Sequence, residues 1–451
     1  MDRRSIIDEI ERYDGSHIKF GVVDIDGVLR GKLISKKKFL KSLDQHIGFC
    51  NVIFGWDVND QVYDDSKVTG WHTGFPDSLA SIDVSTYRTI PWNDNIPLFL
   101  ADFHQSEDLS DVCPRSLLKR MDERSRNAGY IPKFAGEYEW FNFRETPQSL
   151  KEKGMVDPTP LTPGMFGYSL LRSSQYNEFM GGISDQMEKF DVPVEGIHTE
   201  TGDGVYEACI EYSDMVEAAD RCVLFKSGVK EIAFCHNIVA SFMAKWSDEL
   251  PGCGGHIHQS LWDSDENKNL FHSSGSDNTL SPVLEHYIAG QLHCLPEILP
   301  MYAPTVNSYK RFVSGSWAST SVSWARSNRT TALRVIPGGK ESTRLETRVP
   351  GADANPYLAM AAALASGLYG IENKLILATP ETQGNEYKNP NSKSLPANLK
   401  DASSRMKTSE LAKQLFGETF VDHFVYTREW EWEQFSKRVT DWELKRYFEI
   451  I

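Results

Sequence analysis

The chain reads as an α+β protein built in two parts, a small strand-rich amino-terminal domain and a larger body in which strands alternate with long helices. Three observations carry this reading. Residues 18–34 alternate around Asp26-Gly27, a dipeptide that marks a hairpin between β-branched runs. The polar, acidic stretch at residues 105–114 ends on Pro114 and opens a strongly helical run to Ala128. Beyond it, helical runs at residues 213–235 and 281–299 are interleaved with strand-like pieces. The division is therefore expected near residue 108, giving domains of residues 1–108 and 109–451.

Taken in order, the start is charged throughout, without an apolar leader core, and reads as a short amphipathic helix. Strands and turns are expected around residues 51–57, 87–92 and 97–102, with a turn of helix at residues 36–43. Residues 358–371 are alanine-rich and too short to span a bilayer, so they read as a buried helix. Near the end, Phe435, Val439 and Trp442 follow helical spacing, which predicts one carboxy-terminal helix docking on the body.

Composition narrows the function. The chain has 451 residues, with 63 acidic against 48 basic side chains and a net charge of -15, which disfavours nucleic acid or an anionic membrane as partner. Its seven cysteines are scattered with no Cys-x-x-Cys pair, arguing against a disulfide framework or zinc knuckle and for a reducing, cytoplasmic setting.

Four strand-like segments carry the chemistry. Side chains two apart on a strand share a face, so His256 pairs with His258 in Cys-Gly-Gly-His-Ile-His-Gln-Ser-Leu, residues 253–261. Glu137 and Glu139 do the same in Gly-Glu-Tyr-Glu-Trp-Phe, where two half-buried carboxylates repel unless a cation lies between them. Glu200 and Glu207 flank a glycine-bearing turn, and Glu195 lies five residues before the first, in phase with no regular element. Arg344, Glu346 and Arg348 share a fourth face, with Arg311, Arg329 and Arg334 upstream. Carboxylates with one or two imidazoles suit Mg²⁺ or Mn²⁺ better than a closed zinc site, and metal with arginines implies phosphoryl transfer. The Pro-Gly-Gly-Lys at residues 337–340 is no phosphate loop, because Glu341 follows the lysine and Arg334 stands where the first glycine belongs.

The chain carries Glu-Tyr-Glu-Trp-Phe, His-Thr-Glu with Gly-Val-Tyr-Glu, Gly-Gly-His-Ile-His-Gln-Ser-Leu, Asn-Ser-Tyr-Lys-Arg, Asn-Arg-Thr, Arg-Leu-Glu-Thr-Arg and Ala-Asn-Pro-Tyr-Leu-Ala. With these pieces the chain resembles the glutamine synthetase superfamily across nearly its whole length, and its Gly-Ser-Trp, Asn-Arg-Thr and Trp-Glu-Leu-Lys-Arg-Tyr segments resemble the γ-glutamylamine ligases within it. The resemblance implies an amino-terminal β-grasp domain, a catalytic domain with a curved antiparallel sheet surrounded by helices, and stacked hexameric rings, a dodecamer. It also implies two metal sites, one held by Glu139, Glu200 and Glu207 and the other by Glu137, His256 and Glu346. By the same resemblance His258 faces the transferred phosphate, and Glu195 and Ser260 lie in the ATP site. Arg311, Arg348 and Gly252 would hold glutamate, and Arg329, Arg334 and Arg344 would neutralise the phosphates. The implied reaction has two steps, phosphorylation of glutamate's γ-carboxylate by ATP and attack on the acyl phosphate by a nitrogen nucleophile.

Three departures direct the substrate reading. Trp317 stands where glutamine synthetases place a flap glutamate that helps deprotonate ammonium, and tryptophan takes no proton. Asp57 is only loosely comparable with the aspartate of their ammonium pocket. Pro251 replaces the asparagine that precedes the glutamate-contacting glycine, leaving the acid substrate open. The expectation is a γ-glutamyl-amide ligase acting on a polyamine or alkylamine, with an ammonia-using synthetase and a non-catalytic binding member as alternatives.

Overall fold

The computed structural model describes residues 2–43, 45–273, 275 and 279–451, so Met1, at the head of the expected amino-terminal helix, lies outside the described residues. That helix spans Arg3–Arg12, capped by Asp2, whose carboxylate accepts from the Ser5 amide. The expected hairpin follows as β1 (His17–Val23) and β2 (Leu29–Ser35), paired antiparallel. Its turn places Gly27 at φ 83°, and Asp24 Oδ1 accepts from the amides of Asp26 and Val28 at 3.0 and 2.9 Å. β3 (Ile47–Cys50), β4 (Asp77–Ile90) and β5 (Ile96–Asp102) complete a five-stranded sheet of order β2-β1-β5-β4-β3, with β1 and β5 parallel. This is the small amino-terminal domain of the expected fold class.

Two local expectations are corrected here. Residues 51–54 form a 3-10 helix, not a strand, because Asn51 is fixed by tertiary partners: its amide donates to Pro76 O at 3.1 Å and its Oδ1 accepts from Thr69 at 2.6 Å. Residues 87–90 are the end of the long β4, whose register shifts between Asp83 and Arg88, rather than a separate strand.

The second sheet comprises β6 (Ile131–Phe143), β7 (Val194–Thr199), β8 (Val205–Ile210), β9 (Ser213–Asp214), β10 (Val239–Ser241), β11 (Gly255–Trp262), β12 (Trp324–Arg326), β13 (Leu333–Ile336) and β14 (Arg344–Thr347). Its path is β12-β13-β14-β11-β6-β8-β7, antiparallel except for the β12–β13 pair, with β9 and β10 also pairing with β6. β6 is thus the spine. Helices pack around it, among them Pro114–Asn127, Met215–Cys235, Pro282–Ile298 and the alanine-rich Pro356–Glu372. The last two approach so closely that a Cβ on Gly370 would meet His286 O at 2.0 Å and the Cα of Gly290 at 2.7 Å. Small residues there let two helices share one core.

The carboxy-terminal expectation also changes. Helix Glu418–Ser436 stops, and a second helix, Asp441–Tyr447, begins at a capping box in which Thr440 and Glu443 bond each other's backbone amides. That second helix has no buried residue, and Trp442 is 60% exposed, so it does not dock on its own body. All seven cysteines are free, and among the described residues no helix is long and apolar enough to cross a membrane.

Helix Glu418–Ser436 carries a titration that sets one expected outcome. His423 is buried, and burial followed by the charge of Arg428 lowers its pKa to about 4 from 6.5. Between these values the unfolded chain binds a proton that the native state refuses, so stability rises with pH through this window and is lost progressively as pH falls through it. Going from pH 7 to pH 5 is expected to remove about 2 kcal/mol through this group alone. His423→Phe should flatten that part of the pH dependence in denaturant melts.

Candidate active site

Register explains why residues far apart in sequence meet. In β6, Glu137 and Glu139 are half-buried while Tyr138 and Trp140 turn into the core, the alternation expected of a strand with one face open. Glu137 stands opposite His256 of β11 on one side and Cys209 of β8 on the other, and Glu139 stands opposite Glu207. Glu346 of β14 is paired with His258 and with Arg334 of β13. Five strands therefore deliver their polar faces to one place.

The contacts are close. His256 Nδ1 lies 2.9 Å from Glu137 Oε1 and 3.5 Å from Glu346 Oε1, and His258 Nε2 lies 3.3 Å from Glu137 Oε2. Burial pushes the Glu137 carboxyl up, but the hydrogen bonds of His256 and then His258 outweigh it and hold the group well below its ordinary range. Glu346 is fully buried; burial raises it, yet Arg348, His258 and His256 bring it down to about 2. Arg348 donates to its Oε1, and Arg334 Nη1 donates to its Oε2 at 2.9 Å. His256 is pushed down by burial and by Arg348, so the neutral ring presents a lone pair. Glu139 accepts from the Gly254 amide at 2.8 Å, and burial raises the carboxyls of Glu139 and Glu207. Unlike Glu346, which pairs with Arg334 and Arg348, these two make no arginine ion pair among the described residues.

Ligand atoms of Glu137, His256 and Glu346 lie within 4.8 Å of one another, and so do those of Glu137, Glu207 and Cys209. Hard carboxylate oxygens with one neutral imidazole fit a divalent cation such as Mg²⁺ or Mn²⁺. Arg334 Nε is buried without a hydrogen-bond partner, an unsatisfied donor suited to an anionic ligand.

Two cavities meet at Glu137. One of 770 Å³ is lined by Glu137, Glu139, Glu200, Glu207, His256, Gly252, Pro251, Arg311, Trp317, Arg329, Arg334 and Arg348. The other, of 270 Å³, is lined by Glu137, Glu195, Ser260, His258 and Arg344. Every expected site residue except the enclosed Glu346 thus reaches one cavity or the other. Glu195 owes its odd spacing to a register shift between Val194 and Gly196 in β7, which turns it toward the second cavity. Arg311 is anchored through Nη2 on the carbonyls of Arg348, Val349 and Pro350, and Arg344 Nε donates to His258 Nδ1 at 3.2 Å. Gly252 is needed for close packing, since a Cβ there would meet Ala244 O at 2.4 Å. Asp57 joins neither cavity; its Oδ2 accepts from Trp430 Nε1 at 3.0 Å.

Three residues were missed by sequence reasoning. Cys209 Sγ donates to Glu137 Oε2 at 3.0 Å, and His198 Nε2 lies 3.2 Å from Glu207 Oε1, which raises its pKa to about 8. Tyr168 lines the larger cavity and lies over His198, ring centroids 4.5 Å apart. Cys209 and His198 stand two residues from Glu207 and Glu200, so strand alternation was a usable signal for both.

The site is that of a carboxylate-rich, arginine-lined ligase, and comparison with known proteins gives its family. Residues 111–447 match the model of the glutamine synthetase catalytic domain, and the chain belongs to that family. It is 49% identical over 451 residues to type-1 glutamine synthetase 2 of Dictyostelium discoideum, covering 99% of this chain and 86% of that one. It is 37% identical to the glutamate–isopropylamine ligase of a Pseudomonas species, covering 98% and 97%, and 36% identical to the gamma-glutamylethanolamide synthetase of Streptomyces coelicolor, covering 94% and 91%. A solved chain described as GmaS in complex with ADP superposes with a TM-score of 0.85 at 25% identity, over 98% of this chain and 99% of that one. The protein is an ATP-dependent carbon–nitrogen ligase of the glutamine synthetase type.

Proposed function

We propose that the chain joins the γ-carboxylate of glutamate to an alkylamine or polyamine, with ATP as phosphoryl donor and γ-glutamyl phosphate as intermediate. The carrying observation is Trp317: it lines the larger cavity, 56% exposed, with its backbone at φ 63°, a conformation costly for a bulky residue. An indole at the mouth offers an apolar wall to an alkyl group and no base for ammonium. Two of the relatives bear names of glutamate–amine ligation.

In this reading ATP occupies the smaller cavity, with Glu195 and Ser260 beside the nucleoside and His258 and Arg344 toward its phosphates. Glutamate lies in the larger one against Arg311, Arg348 and Gly252. Glu137, His256 and Glu346, whose ligand atoms converge, would hold one Mg²⁺ or Mn²⁺, and Glu139, Glu200 and Glu207, which line the same cavity wall, would hold the other. Bound metal would lower the charge barrier between carboxylate and phosphate. Arg329 and Arg334 add fixed positive charge, and the amine attacks once it has lost its proton. We place the domain division after residue 108 and the reaction in a reducing cytoplasm, which the free cysteines support. We also propose assembly into hexameric rings, because Val439, Trp442, Phe448 and Ile450 stand exposed and a partner chain would cover them.

The competing reading is ammonia use, favoured by the 49% identity to a protein named as a glutamine synthetase. Phosphate release from ATP with Mg²⁺ and glutamate separates the two across ammonium, isopropylamine, ethanolamine, putrescine and spermidine. Release with ammonium alone overturns the proposal. Trp317→Ala is expected to lower kcat/KM for the preferred alkylamine about tenfold or more while sparing ATP, the scale of one lost apolar contact in a specificity pocket.

A further inference from the structure

Residues 65–68 and Asp108 face the first half of helix Glu418–Ser436 across a cleft of 600 Å³ that shares no lining residue with either cavity of the active site. Five carboxylates line it, from Asp65, Asp108, Glu418, Asp422 and Glu429. Lys67 pairs with Asp422 and Lys407 with Glu429, each at 2.9 Å, so the cleft retains an excess of negative charge.

The second observation is His423, which lines the same cleft, is 4% exposed and leaves both ring nitrogens without a hydrogen-bond partner. A buried neutral imidazole has one lone pair and one N–H, and leaving either unsatisfied is costly. Its neighbours in the lining include apolar groups: Val68, Val425 and the ring of Tyr426. The cleft is acidic, part apolar, and ends on an unused hydrogen-bonding group.

A single divalent ion is a poor match. Among the described residues, the groups of three ligands that converge within 4.8 Å both contain Glu137, and none lies in this cleft. Carboxylates spread along apolar walls suit a longer cation whose charges are separated by methylenes. We propose that this cleft binds an alkyl polyamine cation at a site separate from catalysis, with ammonium groups paired to the carboxylates of Asp65 and Glu418 and an amine N–H donated to the His423 imidazole, while Asp108, whose oxygens accept from Ser78 and Ser106, adds negative charge. Such a ligand would tie the amino-terminal domain to helix Glu418–Ser436 and stabilise the fold by mass action. The proposal does not depend on the amine being the acceptor substrate.

The test is calorimetric titration of the full-length protein with spermidine, without ATP or glutamate, beside a thermal-shift series and a parallel titration with Mn²⁺. Saturable binding and a rise in Tm are expected. Affinity should fall at least tenfold in Glu418→Gln combined with Asp65→Asn, and in His423→Phe, but hold in His256→Ala. The Glu418 and Asp65 pair keeps the test valid should His423→Phe fold poorly. Absence of saturable binding, affinity unchanged in the double variant, loss of binding in His256→Ala, or Mn²⁺ binding that the double variant abolishes and spermidine does not displace would each overturn it. None of these outcomes bears on which acceptor drives phosphate release, so the two readings fail separately.

Discussion

His256→Ala is expected to lower kcat/KM by about 10²–10³-fold, the loss typical when a group that organises transition-state charge is removed, while the protein stays folded. The imidazole is 4% exposed and lies between two carboxylates, 2.9 Å from Glu137 and 3.5 Å from Glu346. Alanine removes one of three converging ligand atoms, and it also takes away a partner that holds the Glu137 carboxyl below its ordinary range. Metal affinity should therefore fall together with turnover, which Mn²⁺ titration followed by electron paramagnetic resonance would read directly. Far-ultraviolet circular dichroism checks the fold. Full activity at ordinary metal concentration would refute the ligand role assigned to His256. The second carboxylate pair behaves differently, since burial raises Glu139 and Glu207 and few cations offset it. A metal is the group that would let both ionise at once.

How much of this was legible in the sequence follows from what is local. Strand alternation is a property of neighbouring residues, so Glu137 with Glu139, and His256 with His258, were assigned to shared faces without coordinates. Their partnership is not local: that Glu137 stands between His256 and Cys209 depends on the pairing of β6 with β11 and β8, more than seventy residues away in each case. The metal and nucleotide assignments came from motif resemblance, not from spacing. Glu195 was opaque because a register shift breaks the period on which such reading depends. The break before Trp442 was the reverse case, since Thr440 and Glu443 spell a helix start that three apolar residues at helical spacing overrode. Cys209 and His198 stand two residues from Glu207 and Glu200, so the same alternation makes both legible in the sequence.

The largest effect on stability is expected at Arg115, at the first turn of helix Pro114–Asn127. The side chain is 2% exposed and reaches three carboxylates: Asp220 at 2.9 and 2.8 Å, Asp102 at 2.6 Å and Asp83 at 2.9 Å. Asp83 and Asp102 lie on β4 and β5 of the amino-terminal sheet, whereas Asp220 lies on helix Met215–Cys235 and accepts from Tyr357 of the alanine-rich helix at 2.6 Å. One guanidinium therefore joins the small sheet to the body that carries the catalytic strands. Arg115→Met leaves these acids without it and should cost about 3–5 kcal/mol, the scale for breaking a buried ion pair from one side. Denaturant melts at pH 7 measure it. Burial raises Asp102 while Arg115 and then Lys119 lower it, to a net depression, and Asp83 is likewise depressed. Depressed carboxylates stabilise the native state above their unfolded pKa and lose that contribution as pH falls through the folded one. The gap between the parent protein and Arg115→Met should accordingly be widest near neutrality and narrow below about pH 4, the range where free aspartates begin to protonate. Lys119→Met should cost less, because its ammonium group is partly solvated and Arg115 still serves the same two acids. Equal costs for the two variants would refute the distinct role given to Arg115, the one of the two cations that also reaches Asp220.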